Sequence, residues 1–293
     1  MESIKEEIDA LEVYDMKTRI VSAVAAIALL AVVVYLGSLA IGLAIFVLAI
    51  TGIYEFYKAL EKGGFKPVYI VGYLSCLSLL IPVVSSLFPA GAGIADADTM
   101  LLSAALGVFA TLAVLFCLLI FSNGKYTVAD ISVTLFGILY IVFLFLFVTL
   151  TRNMELGYLY IWLIFIGAWA TDTFAYFTGV TIGKTKILPR VSPKKSLEGC
   201  IGGVIGCIAA MLLFGLYFKN TISVPLYHFA ILGLICGLIS QIGDWAASAV
   251  KRAVEIKDYG NIMPGHGGVL DRLDSILFTA PVVYFYIRLF FIH

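Results

Sequence analysis

Nine apolar runs, at about 19–36, 38–57, 67–88, 100–121, 129–151, 157–178, 199–218, 226–250 and 275–292, make up most of this chain, and short polar stretches separate them. None of the runs alternates apolar with polar residues, so none reads as a half-buried strand. Each is close to the roughly 20 residues that a helix needs to cross a hydrocarbon core. A spanning segment has no water for its backbone N–H and C=O groups and must satisfy them internally, which for runs of this length means helices. The pattern predicts an all-α, polytopic integral membrane protein with about nine transmembrane helices.

Composition agrees: 62% of the residues are hydrophobic and 13% charged, against about 25% charged in soluble domains, and the mean hydropathy is +1.05. The nineteen Lys and Arg then set an orientation. With nine spans, sixteen of them fall on the side of the N-terminus, and only Arg152, Lys219 and Arg288 fall on the other. Basic residues gather on the cytoplasmic side, so the N-terminus is expected in the cytoplasm and the C-terminus outside. Residues 1–18 read as a cytoplasmic N-terminal segment without a signal peptide, in which Ile4, Ile8 and Leu11 share one face of a short interfacial helix. The five cysteines lie in apolar runs without ligand spacing and are expected to be small core residues.

No internal repeat, linker or low-complexity tract divides the chain, so one integrated membrane domain is expected. Within it the polar content is uneven. Helices in 19–156 are nearly featureless, whereas 157–293 carries acids, glycines and the two longest basic loops, and the chemistry is expected there. Asp172 in "AWATDTFAYFTG" and Asp244 in "ISQIGDWAASAVKR" are carboxylates inside apolar runs, which is costly and by default functional. Each stands six residues before the predicted end of its run, a shared depth of about 9 Å.

Two loops add to them. In "SPKKSLEG", Ser192, Lys194, Lys195 and Ser196 precede the next helix, and hydroxyls, ammonium groups and a helix N-terminus together suit phosphate. In "IKDYGNIMPGHGGVLDRLDS", Asp258, Asp271 and Asp274 are hard oxygen donors of the kind Mg²⁺ takes, and Lys251, Arg252, Lys257 and Arg272 surround them with positive charge. Gly265, Gly267 and Gly268 let the backbone approach a ligand, with His266 exposed between them. His266 has no second His or Cys nearby, so zinc is disfavoured. Gly199 and Gly203, Gly202 and Gly206, and Gly233 and Gly237 have the four-residue spacing of close helix packing.

These residues carry a resemblance. Ser248, Val250, Lys251, Arg252, Lys257, Asp258, Gly260, Pro264, Gly265, His266, Gly267, Gly268, Asp271, Arg272 and Asp274 match the signature of the phosphatidate cytidylyltransferase (CDP-diacylglycerol synthase) family. "SPKKSLEG" and "DTFAYFTG" are also similar to family segments, so the likeness covers about residues 157–277; Met263 and Trp245 are its small departures. The resemblance implies that CTP and phosphatidate react to give CDP-diacylglycerol and pyrophosphate. By the same resemblance Asp244 and Asp271, with Asp274 close by, would hold Mg²⁺, and Asp172 would orient a basic residue or a second cation. Lys194, Lys195, Lys251, Arg252, Lys257 and Arg272 would neutralise the phosphates. The reacting groups would be Asp271, Lys195, Arg272, His266 and Asp172. The implied partners are CTP, phosphatidate and membrane lipid, with a homodimer compatible and no nucleic acid; the implied location is the bacterial cytoplasmic membrane, with the site facing the cytoplasm. A transferase or kinase acting on another lipid phosphate or a polyprenol stays open as an alternative, and a transporter is the distant one.

Overall fold

The computed structural model describes residues 27–85, 97–260 and 267–292, with side chains from residue 106 onward in the fourth helix. Among the described residues the regular structure is helical: α1 (Ile27–Leu36), α2 (Ser38–Lys62), α3 (Tyr69–Val84), α4 (Ala97–Phe121), α5 (Val128–Arg152), α6 (Gly157–Ile182), α7 (Leu197–Tyr217), α8 (Leu226–Ala253) and α9 (Leu270–Phe290). An isolated antiparallel bridge joins Lys186 and Ser196. Six helices, α2 and α5–α9, are long and apolar enough to cross a membrane. The N-terminal segment 1–18 lies outside the described residues, as does the start of the first apolar run.

Helices α6, α7, α8 and α9 form the most extensively packed set, each against its neighbour in sequence. The glycine pairs explain how. A Cβ on Gly203 would stand 2.9 Å from the Thr171 carbonyl of α6, and one on Gly233 of α8 would stand 2.7 Å from Cα of Ile208 in α7. Backbones therefore touch at Gly199, Gly203, Gly233 and Gly237, whereas Gly202 and Gly206 face the side chains of Thr178 and Phe174. Helices α2, α3 and α5 make a second cluster, joined to the first through α9, which packs on both α5 and α8.

Polar residues pin the turns. Thr127 and Asp130 form a capping box at the start of α5. Asp130 also accepts the Lys66 N–H at 2.6 Å, and the Thr134 hydroxyl accepts that of Val68 at 2.9 Å, which ties the α2–α3 connection to α5.

Several helices outrun their apolar stretches. α6 continues to Ile182, α8 to Ala253, and α9 begins at Leu270 rather than 275, so Asp271 and Asp274 belong to its first turns and not to a loop. Asp172 is thus ten residues from the end of α6 and Asp244 nine from the end of α8. At 1.5 Å per residue these are distances of about 15 and 14 Å from the helix ends, longer than the about 9 Å that the apolar runs suggest. The cysteines also need correction. Cys76, Cys207 and Cys236 are buried, but Cys200 is only half-buried and Cys117 is exposed, as an apolar side chain facing lipid is.

Candidate active site

Three helices and one loop converge on one group of charges. Lys195, at the end of the α6–α7 loop, forms an ion pair with Asp244 of α8. Burial lowers the pKa of Lys195 below the ordinary lysine value, while Asp172 of α6 and Asp274 of α9 oppose that shift. Ser275 donates its hydroxyl to Asp172 at 3.5 Å and its N–H to Asp274 at 2.8 Å. A second pair lies beside the first. Lys251 contacts Asp271 at 2.6 Å, with side chains 11% and 6% exposed, so this pair is shielded from bulk water and its electrostatics are strong. Lys251 also sits 5.3 Å above the ring of Tyr259.

The loop before α9 wraps round Asp271. Its Oδ2 accepts the N–H of Tyr259 at 2.8 Å and of Gly268 at 3.0 Å, and Oδ1 takes Lys251. Gly267, with φ of 83°, lies in the left-handed region and lets the chain turn back so that Gly268 reaches the carboxylate. Gly265 and His266 lie outside the described residues. Asp258, Lys257 and Arg272 are exposed around this loop.

The α6–α7 loop is held by different means. Glu198 accepts the N–H groups of Lys184 and Thr185 at 3.0 and 3.2 Å. Ser196 is buried and caps α7, accepting the Gly199 N–H at 3.2 Å. Ser192 is half-buried and Lys194 exposed. The Arg252 guanidinium donates to the carbonyls of Val191 at 3.4 Å and Ile256 at 3.0 Å, joining the two basic loops. Asp172, Lys195, Asp244, Lys251, Asp271 and Asp274 are therefore one constellation, with Lys194, Lys257 and Arg272 at the surface. Among the described residues no three acidic, His or Cys side chains cage a metal ion as they stand.

The family model described as the cytidylyltransferase family matches residues 17–290, nearly the whole chain and all of this constellation. The chain belongs to that family. Its relatives include the phosphatidate cytidylyltransferase of Bacillus subtilis, 31% identical over 277 residues, which are 94% of this chain and 99% of the relative. The phosphatidate cytidylyltransferase of Synechocystis is 31% identical over 92% of this chain and 96% of its own. That of Thermotoga maritima is 40% identical over 161 residues, 54% of this chain and 58% of its own.

In this cytidylyltransferase, one residue at the site escaped the sequence analysis. Glu55 of α2, 1% exposed, accepts the N–H of Val269 at 3.0 Å and of Leu270 at 2.9 Å. A signal for it exists in the sequence: it lies three residues after Gly52 and four before Ala59 on the buried stripe of its helix. Glu55 lies outside 157–293, the region in which the chemistry is expected.

Proposed function

We propose that this chain transfers the cytidylyl group of CTP to phosphatidate, giving CDP-diacylglycerol and pyrophosphate. The observation that carries the reading is end-to-end similarity to phosphatidate cytidylyltransferases; the alternation of carboxylates and ammonium groups in one cluster at the ends of α6–α9 supports it. A phosphate oxygen of phosphatidate attacks the α-phosphorus of CTP, a new P–O bond forms, and the bond to the oxygen bridging to the β-phosphorus breaks. The electron pair leaves with pyrophosphate. Both reactants are anions, so positioning and charge neutralisation supply most of the catalysis.

The donor set fits Mg²⁺, which commonly takes one or two carboxylates plus water and substrate phosphates rather than a closed protein cage. Asp244 and Asp271 would hold it, with Asp274 close by, and Asp172 would orient Lys195 or hold a second cation. When bound, the ion would offset charge on the triphosphate. Lys195 and Lys251, each paired with one of these carboxylates, bring positive charge to the reacting phosphates, and Lys194, Arg252, Lys257 and Arg272 extend it toward the surface. Ser192, with the glycine loop of Gly265, Gly267 and Gly268 and its His266, completes the substrate contacts, and Ser196 serves them by capping α7. The reading includes nine spans, a cytoplasmic N-terminus and site, an external C-terminus, and the bacterial cytoplasmic membrane as the location. The soluble nucleotide enters from the cytoplasm and the lipid sideways from the bilayer.

Pyrophosphate release by detergent-purified protein tests this. Release that needs CTP, Mg²⁺ and phosphatidate together, and stops with EDTA, is expected. Release only with a different lipid phosphate would reassign the acceptor, and none with any acceptor from folded protein would refute the reading.

A further inference from the structure

Two consecutive residues of α2 hold the loop that leads into Asp271 and the start of α9. Glu55 binds the N–H groups of Val269 and Leu270, the two residues just before it. Phe56 packs its ring 6.0 Å from that of Tyr259, whose own N–H binds Asp271. The loop is shaped around the carboxylate. A Cβ on Gly268 would stand 2.6 Å from Glu55 Oε2 and 2.7 Å from the Gly260 nitrogen, so only glycine closes there without displacing one of them. The first N–H groups of a helix have no partner within it, and a buried carboxylate that takes two of them fixes both the helix start and its direction. Asp271 stands one residue farther on.

We propose that Glu55 is a positioning residue for the cation site: by fixing Val269 and Leu270 it sets where the Asp271 carboxylate points. The inference rests on Asp271 being a metal ligand. A residue that served only as a helix cap would change thermal stability and leave cation affinity alone. Outer partners of a metal site change that affinity, typically by about 10- to 100-fold.

Mn²⁺ binding by electron paramagnetic resonance, alongside thermal melting, separates these roles in the purified full chain. Glu55→Gln is expected to weaken Mn²⁺ binding about tenfold, and to raise the half-saturating Mg²⁺ for turnover in parallel. Thr127→Ala, which removes a cap of α5 far from these loops in sequence, is expected to lower the melting temperature and leave Mn²⁺ affinity unchanged. Gly268→Ala presses on the same carboxylate from the loop side and is expected to weaken Mn²⁺ binding too, which answers the question if Glu55→Gln does not fold. Wild-type Mn²⁺ affinity in a folded Glu55→Gln or Gly268→Ala protein, with Asp271→Asn weakened, would make Glu55 a cap only. Undiminished binding by Asp271→Asn would remove the metal-ligand reading and this inference with it.

Discussion

Helices α6–α9 and the cluster of α2, α3 and α5 draw on the same apolar residues, yet they pack differently. In the first set several glycines bring backbones together, a Cβ on Gly243 standing 2.7 Å from the Asp274 carbonyl and one on Gly237 2.9 Å from Cα of Val204, while Gly202, Gly206 and Gly215 face the side chains of Thr178, Phe174 and Phe229. In the second set the glycines face side chains, such as Gly52 against Ile141 and Gly137 against Phe56. Side chains can change rotamer, whereas two backbones in contact cannot yield without moving a helix. The backbone contacts lie where Asp172, Asp244, Asp271 and Asp274 must be held together, as a preorganised site requires. The looser half supplies apolar surface and two buried carboxylates, Asp130, which caps α5, and Glu55, which reaches the start of α9.

The contrast can be broken at its strongest point first. Asp271→Asn removes charge from a buried ion pair and is expected to lower turnover by more than about 100-fold, beyond the range for outer partners of a metal, while the protein still extracts and melts as folded; retained activity would take Asp271 out of the site. Gly243→Ala is expected to cost about 1–3 kcal/mol through overpacking and to reduce turnover, because it separates α8 from α9 beside Asp274. Its counterpart Gly52→Ala in α2, where a Cβ would stand 3.3 Å from the Ile141 side chain, is expected to cost less and to leave turnover alone; equal losses in the two would erase the distinction between the halves. Thr127→Ala is expected to cost about 1 kcal/mol, read as a drop of about 2–4 °C in melting temperature with turnover preserved. Smallest of all, Lys66→Ala should change neither, since its backbone N–H makes the contact to Asp130; a dead enzyme would show that the site extends to the α2–α3 loop.

The catalytic half was largely legible because lipid makes polar residues conspicuous. Asp172 and Asp244 stand out inside apolar runs, and the structure brings both beside Lys195. Helix ends were less legible. The apolar pattern stops at 275, but α9 starts at Leu270, because its first N–H groups are satisfied by Glu55, more than two hundred residues earlier in the chain. Glu55 itself was hidden by its neighbours: Lys58, Glu61 and Lys62 make the end of α2 read as an ordinary solvated helix end. Only its place on the buried stripe distinguishes it. Ser196 shows the converse. It reads as a phosphate donor by composition, and its hydroxyl is engaged in capping α7.

The most direct test follows the two labels of CTP in the purified protein with phosphatidate and Mg²⁺. Label on the α-phosphorus is predicted to appear in the lipid, and label on the γ-phosphorus in pyrophosphate. Transfer of the γ-label to the lipid would show a kinase instead, and label in neither product from folded protein would contradict the account.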